Sequence, residues 1–598
     1  MEPNENNDVT EDGNQTGNMY RYNGQESNSN DPQRESNAIR RSIGQGDNPY
    51  ILNQNNNINN DQDQQNAIRR SLGDRNPNNA DFPNYQEKSS EQRIPNLQES
   101  HSPFQINPAY NNQFQPNIVP FSRNEPKKSY YITYFVIILI QILLFFVIGF
   151  AYENNNDYED FSYDYHFYKD VNLMIFIGFG LLYTSLKDHQ WSSIVIVLFT
   201  GIFSFEISFF WNYLWKNCFD SDNKDHDWEK VKIKFEQLIR IDYFTATVLI
   251  SMGALIGKIS VNQILIITIF ETFFSSLNYY FCYRTIKAID NGGSLYIHTF
   301  GAIFGFIVSI LGYRKDYGKI LNNPHLKSDY YSNIISFIGS LFLWLYFPSF
   351  NIANIQTGKN KENKFLDIFR YRGIVNTYLS MIGSVIGTFV VSPLVSKGKL
   401  KIEHLLNASY VGGIIIGGCC TICSSAWGAI LIGFIGGCLS VLGLWKLKKI
   451  LREHKIDDTF GIMYTFGIPG ILGGFLNSIF MGNFSNKSWG NNNNVNYISQ
   501  FFNFNRSPGE QGGFQILALF TTIFIAAISG FCIGFIISHM NCDKNEFYFV
   551  DSELFYDDGT ILLPELNPRL YDGSNNLNSS GNKFEIQEKE REVNIQNI

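Results

Sequence analysis

The chain has 598 residues, 44% of them hydrophobic, yet its mean hydropathy is slightly negative at -0.14. That average hides a sharp partition between polar ends and an apolar middle. The formal net charge is -8, and no block of basic residues offers the electrostatic footprint of a nucleic-acid binder.

Residues 1–126 are dominated by Asn, Gln, Ser and Asp and hold too little apolar surface to offset the entropy of ordering. They read as a disordered cytoplasmic tail. A near-duplicate within it, NAIRRSIG at Asn37–Gly44 and NAIRRSLG at Asn66–Gly73, is either low-complexity drift or a short docking or phosphorylation motif at Ser42 and Ser71. No signal peptide is visible, so the first membrane helix is expected to act as the targeting signal.

From 127 to 540 the chain is a succession of apolar runs, at about 130–151, 171–187, 192–214, 241–257, 259–282, 292–312, 331–352, 374–395, 407–424, 426–445, 459–480 and 513–538. A helix needs roughly 20 residues to cross a bilayer. The pattern predicts an all-α polytopic membrane protein with about twelve transmembrane helices, 407–424 and 426–445 being the least cleanly separated. The 52 Phe and 33 Tyr fit helix contacts and interface belts.

Loop charges orient the spans. Lys127 and Lys128 precede the first one and place the N-terminus in the cytoplasm. Acidic loops around Glu153–Asp164 and Asp220–Glu229 then face out, as does the loop with glycosylation sequons at Asn483 and Asn486. Even-numbered loops carry Arg314, Lys315 and Lys319; Lys397, Lys399 and Lys401; and Lys446, Lys448, Lys449, Arg452 and Lys455. The odd loop Lys359–Arg372 is more basic than the rule prefers. Both termini are expected in the cytoplasm, with 541–598 as a C-terminal tail, in the plasma membrane.

Within this frame the stretch Asp290–Gly305, DNGGSLYIHTFGAIFG, stands out. His298, Ala302 and Gly305 fall at helical spacing, and Gly301 with Gly305 forms a small-xxx-small pair that admits a neighbouring backbone. An ionisable ring there marks an ion or substrate path, or else a neutral histidine bonded to a neighbouring helix. A second copy, DTFGIMYTFGIPG, runs from Asp458 to Gly470, with Gly461 at the offset of Gly293 and Gly467 at that of Gly301. The copies lie about five spans apart, and an odd offset reverses direction, the mark of an inverted internal repeat with a shared central path. Phe466 is then the pseudo-symmetry partner of His298. Each Asp precedes its helix and can accept from the first free N–H groups. Pro469 is expected to bend the second helix. Glu206 and Glu271, costly within spans, are expected to face the bundle interior. Cys419, Cys420 and Cys423 read as packing residues rather than a metal site. No nucleophile–base pair, metal cluster or phosphate loop suggests an enzyme or a cofactor.

Several ordered motifs resemble the ammonium transporter superfamily, and specifically its Rhesus (Rh) glycoprotein branch. They are Asp290-x-Gly-Gly-Ser-x-x-Ile-His-x-Phe-Gly-Ala; Gly339-x-Leu-Phe-Leu-Trp-x-Tyr-x-Pro-Ser-Phe-Asn351; Lys397-Gly-Lys-Leu leading to His404-x-x-Asn-Ala408; Asp458-Thr-x-Gly-Ile; and Gly467-Ile-Pro-Gly. MIFIGFGLLYTSLK at Met174–Lys187 looks like the family's first conserved helix, and an extra span ahead of it is similar to Rh proteins. The resemblance implies an ammonium transporter-like fold, a homotrimer with one pore per subunit, an outer cation vestibule, two stacked gate rings and two pore histidines. It places the gate on Phe350 and on Tyr243, where the family usually has Phe. It places His298 as the first pore histidine and Asp290 at that helix entrance, with Asp458 and Asn351 in the same vestibule and helix-capping set. Phe466 departs, because the family's second pore histidine belongs there. The function implied is transport of ammonium or ammonia, through a Rh-type pore impaired by the missing histidine. A CO2 channel and a non-conducting membrane scaffold or sensor are the alternatives.

Overall fold

The computed structural model describes residues 128–154, 161–219, 230–312, 327–355, 364–483, 506–540 and 551, all within the unit Phe121–Ile598. The expected tail 1–126 with Ser42 and Ser71, the basic cluster Arg314–Lys319, Lys359, the sequon at Asn486 and nearly all of 541–598 lie outside the described residues.

Helix α1 spans Lys128–Ala151. Helix α2 opens at Phe161–Asn172, passes a π-helical turn Leu173–Gly178 and Phe179–Leu182, and ends in a tight turn Tyr183–Ser185. Helices α3 to α5 are Gln190–Phe219, Phe235–Leu255 and Val261–Tyr280, the last prolonged by a π turn Phe281–Ile286. Helix α6 begins with a π turn Ser294–Thr299 and continues as Phe300–Leu311. Helices α7 and α8 are Tyr330–Ile352 and Lys364–Val395. Helix α9 is in two pieces, Ile402–Ala408 and Val411–Ile416, and α10 runs from Ala426–Leu442 through Gly443–Leu447 to Lys448–Glu453. Helix α11 is a π turn Met463–Gly467 followed by Ile468–Gly482, and α12 is Pro508–His539. Among the described residues, 9 helices are long and apolar enough to cross a membrane. Several starts carry the expected sequence signals: Asp329 with Ser332, and Ser507 with Glu510, form reciprocal capping boxes.

One expectation needs amendment. The run at 407–424 is not one helix, because α9 breaks between Ala408 and Val411. Beside the helical bundle lies a short parallel pair, β1 (Tyr152–Asn154) with β2 (Val231–Ile233), in the register Tyr152 to Val231. Three residues per strand are too few to show a period in the sequence. Side-chain bonds hold the clip down: Tyr152 donates to the Phe209 carbonyl at 2.6 Å, and Asn212 links Tyr152 to Tyr280.

The packing is that of a bundle in lipid. Large apolar side chains such as Phe145, Leu394 and Phe524 point outward, while Ser, Thr and Gly fill the interior. The Gly301/Gly305 pair does what its spacing predicts. A Cβ at Gly301 would sit 2.6 Å from the Thr247 carbonyl, and one at Gly305 would sit 2.6 Å from the Ser251 Cα, so α6 lies directly on the α4 backbone. The broken α9 is supported by side chains from three helices. Ser340 donates to Leu406 O at 2.8 Å, Ser384 to Ala408 O at 2.6 Å, Ser380 to Gly412 O at 2.8 Å, Asn351 to Gly413 O at 3.0 Å and Ser294 to Ile414 O at 2.7 Å. Irregular backbone at membrane depth persists when neighbours meet its freed carbonyls in this way.

Bonds between loops join only loops of one parity in the cases seen, as alternating crossings require. Lys187 donates to Lys327 O, and Lys258 to Asp457 O, on one face. Asn477 and Gln515 reach Ile289 O, and Arg506 reaches Ile286 O, on the other. Asp551, the one described residue of the C-terminal tail, accepts from the backbone N–H of Gln190, Trp191 and Ser192 at 2.9, 3.1 and 2.8 Å. It thereby satisfies the free donors at the start of α3.

Candidate functional site

The two copies of the repeat fold alike and start from opposite faces. Asp290 accepts from Leu295 N at 2.8 Å and Tyr296 N at 3.0 Å. Asp458 accepts from Gly461 N, Ile462 N and Met463 N at 3.0, 2.9 and 2.8 Å. Gly293 (φ 70) and Gly461 (φ 77) hold the left-handed conformation that lets the chain turn back over its Asp. A wide π turn follows in each copy, Ser294–Thr299 and Met463–Gly467. It places His298 at the end of the first turn and Phe466 at the corresponding point of the second.

His298 and Phe466 meet at the centre of the bundle. Their ring centroids are 5.7 Å apart with planes 28° off parallel. Phe347 and Phe350 of α7 complete the surround, each 5.9 Å from the imidazole. His298 is 1% exposed. Neither Nδ1 nor Nε2 has a hydrogen-bond partner among the described residues, so the histidine is not bonded to a neighbouring helix. An imidazole always carries donor or acceptor capacity on both nitrogens. Here both are directed into aromatic surroundings.

On the side of Tyr243, the ring column continues through Phe350. Their centroids lie 4.8 Å apart, and the Tyr243 hydroxyl donates to the Phe350 carbonyl at 2.5 Å. Phe350 lies in the last turn of α7, where carbonyls lack helical partners, and Tyr243 supplies one. On the other side Phe466 is followed by Phe179 at 5.9 Å, Phe179 by Tyr183 at 5.7 Å, and Tyr183 by Phe460 at 4.8 Å. The order Tyr243, Phe350, His298, Phe466, Phe179, Tyr183, Phe460 is a continuous line of rings.

Two residues, Asn351 and Glu206, differ from their sequence-based places. Asn351 caps no helix. It is fully buried in the last turn of α7 and donates to Thr377 Oγ1 and Gly413 O, joining α8 and α9. Glu271 is interior as expected and pairs with the Ser251 hydroxyl. Glu206 is not interior. It is half-buried against α1, whose Gln141 donates to it at 2.5 Å, because α1 covers the outer surface of the bundle. Asp242 is a buried carboxyl that the sequence reading overlooked. It adjoins Tyr243 and accepts from Asn172 at 2.8 Å, with Oδ1 unpartnered. An acid inside the span Phe235–Leu255 was the available signal.

Cys419, Cys420 and Cys423 are buried in one apolar cluster with Ile289, Phe369 and Met481. Among the described residues no group of three His, Cys, Asp or Glu side chains could hold a metal ion.

The turn before α11 is clamped by charge. Lys258 donates to Asp457 O at 2.6 Å, Ala254 O at 2.9 Å and Ser309 Oγ at 3.1 Å, and lies 3.4 Å from the Asp457 carboxylate. Arg452 meets the same carboxylate at 3.1 Å. Burial alone would raise Asp457, but Lys258, then Arg452 and Lys448, outweigh it and hold the carboxyl at about 2. Burial dominates at Lys258 itself, whose ammonium stays below the ordinary lysine range despite Asp457. The pair thus favours the carboxylate more than the ammonium.

The Ammonium Transporter Family matches residues 134–542 of this chain. The chain is 32% identical over 431 residues to the ammonium transporter Rh type C of Canis lupus familiaris, covering 69% of this chain and 88% of that one. It is 32% identical over 420 residues to the ammonium transporter Rh type B of Danio rerio, covering 67% and 87%. Among solved structures it is similar to Nitrosomonas europaea Rh50, described as belonging to the Rhesus family of channels. The TM-score is 0.52 at 26% identity, over 73% of this chain and 98% of that one.

Proposed function

The chain belongs to the ammonium transporter family, in its Rhesus branch, and from that membership and the site geometry we propose that it is a channel for ammonia. The observation that carries the reading is His298, a fully buried imidazole with two unpartnered nitrogens midway along a line of rings. A bare ammonium ion entering such an apolar column costs many kcal/mol, whereas neutral ammonia enters far more cheaply. The faces of the Tyr243 and Phe350 rings favour the cation at the Tyr243 end. There the ammonium returns its proton to water on the outer side, and the neutral molecule passes His298, which offers it a hydrogen bond.

Phe466 sets the limit. A phenyl ring neither donates nor accepts a hydrogen bond of the imidazole kind, so a two-histidine proton relay is broken. Cation-coupled transport is accordingly weaker than in a two-histidine relative. The same apolar column suits another neutral gas, CO2 included. Tyr243 and Phe350 serve as gate rings in this reading, and Asp290 and Asp458 hold the two helix entrances. The assembly is a homotrimer in the plasma membrane with both termini in the cytoplasm, and the protein is not an enzyme.

Uptake of methylammonium into proteoliposomes across a pH series, with Phe466→His as comparator, tests the channel. If wild type matches empty liposomes at every pH, conduction fails. The second reading, a non-conducting scaffold or sensor, is then favoured by the tethered Tyr243 ring and by Phe466 stacked on His298.

A further inference from the structure

The phenols among the described interior residues are mostly committed to the fold. Tyr183 donates to Leu249 O at 2.8 Å, Tyr243 to Phe350 O at 2.5 Å, Tyr280 to Asn212 at 2.7 Å and Tyr296 to Ala288 O at 2.8 Å. Tyr410 is different. It is 0% exposed, and its hydroxyl has no partner among the described residues. Tyr464 also keeps an unpartnered hydroxyl, but its ring packs against Gly443 and Gly461.

The place of Tyr410 in the fold is specific. It stands at the break of α9, just before Val411, with φ -103 and ψ 1. Serines from α7 and α8 satisfy the carbonyls around the break. Among the described residues the Tyr410 phenol stays unmet beside the break, as do Asn351 Oδ1 and His404 Nε2, and of these three Tyr410 packs its ring on Phe466. Its ring lies 5.9 Å from Phe466 and 6.1 Å from Phe347. Those two rings are the ones against His298. Interrupted helices in transporters typically present their free polar groups to the transported molecule.

We propose that the Tyr410 hydroxyl is the second hydrogen-bonding station of the pore, replacing the ring nitrogens that Phe466 lacks. A buried hydroxyl without a partner is destabilising, and a passing molecule that both donates and accepts completes it. Ammonia and methylamine do both, whereas CO2 only accepts. A phenol keeps its proton at neutral pH, so this station binds the neutral amine without relaying a proton. The polar group has moved from α11 to α9 while staying on the same ring cluster.

This inference rests on the channel reading. The test is methylammonium uptake by the full chain in proteoliposomes, for wild type, Tyr410→Phe, Phe466→His and the double variant. Tyr410→Phe is expected to lower uptake roughly five- to tenfold, the effect of one lost hydrogen bond. In the Phe466→His background the same change is expected to cost less than about twofold, since the imidazole then supplies the contact. Wild-type uptake with an equal Tyr410→Phe rate overturns the inference and leaves the channel standing. A loss that Phe466→His does not relieve also overturns it, because a packing defect is not repaired by a new ring nitrogen. Failure of Tyr410→Phe to fold overturns it too, since removing an oxygen that touches nothing in the protein cannot unfold it. Wild-type uptake equal to empty liposomes removes both readings.

Discussion

The hydroxyl of Tyr243 donates to the carbonyl of Phe350 at 2.5 Å, tying the two rings of the column to each other through backbone. A phenyl ring at 243 would lack this tether, whereas the tyrosine is held at one end by α4 and at the other by α7. If these rings form the proposed gate, moving them apart breaks this hydrogen bond.

Tyr243→Phe removes that bond. The Phe350 carbonyl loses its partner, and thermal stability in detergent falls by about 1 kcal/mol. Methylammonium uptake rises severalfold because ring rotation no longer breaks a bond. An unchanged or lower rate means that the tether does not limit flux.

His298→Leu separates folding from transport. The imidazole carries two unpartnered buried nitrogens, and an alkyl chain of similar volume relieves that penalty, raising stability by about 1–2 kcal/mol. Uptake drops at least about tenfold, as one polar contact for the cargo is lost. A variant that melts lower than wild type contradicts the unpartnered geometry.

Asp290→Ala and Asp458→Ala act on equivalent turns. Each strips the acceptor from two or three backbone N–H groups at a π turn and is expected to cost about 1–2 kcal/mol in thermal denaturation. The Asn variants retain an oxygen and lose less. If only one position matters, the two turns are not equivalent.

The Lys258–Asp457 clamp gives a pH signature. Asp457 is held at about 2, below its ordinary value, so its contribution is present above about pH 4 and is lost as pH falls towards 2. Melting curves of wild type and Asp457→Asn in detergent are expected to converge over that interval. Lys258→Met leaves Asp457 buried with only Arg452 and the more distant Lys448 to offset it and costs about 3 kcal/mol at neutral pH. Curves that stay parallel down to pH 2 exclude the clamp.

Local pattern made much of this protein legible. The apolar runs gave the crossings because a bilayer demands a fixed length of apolar helix, whatever the neighbours. The matched Asp and Gly positions gave both helix entrances, since an Asp cap and a left-handed glycine act within a few residues of sequence. His298 and Phe466 followed from the same offset. Their meeting at 5.7 Å needed α6 and α11 to enter from opposite faces, which the odd spacing of the copies already implied.

Tertiary structure alone decided the rest. Tyr243 and Phe350 are 107 residues apart, and nothing in either segment shows that a hydroxyl on one would find a carbonyl on the other. The resemblance puts Asn351 in the vestibule and helix-capping set, and in the fold it donates to Gly413 O, on a helix 62 residues away. The break in α9 lies inside an apolar run that looks continuous, and its carbonyls are met by Ser294, Ser340, Asn351, Ser380 and Ser384 from other helices. Whether a buried polar atom is satisfied depends on which segments are brought beside it. For that reason the free nitrogens of His298 and the free hydroxyl of Tyr410 became visible only in the folded chain.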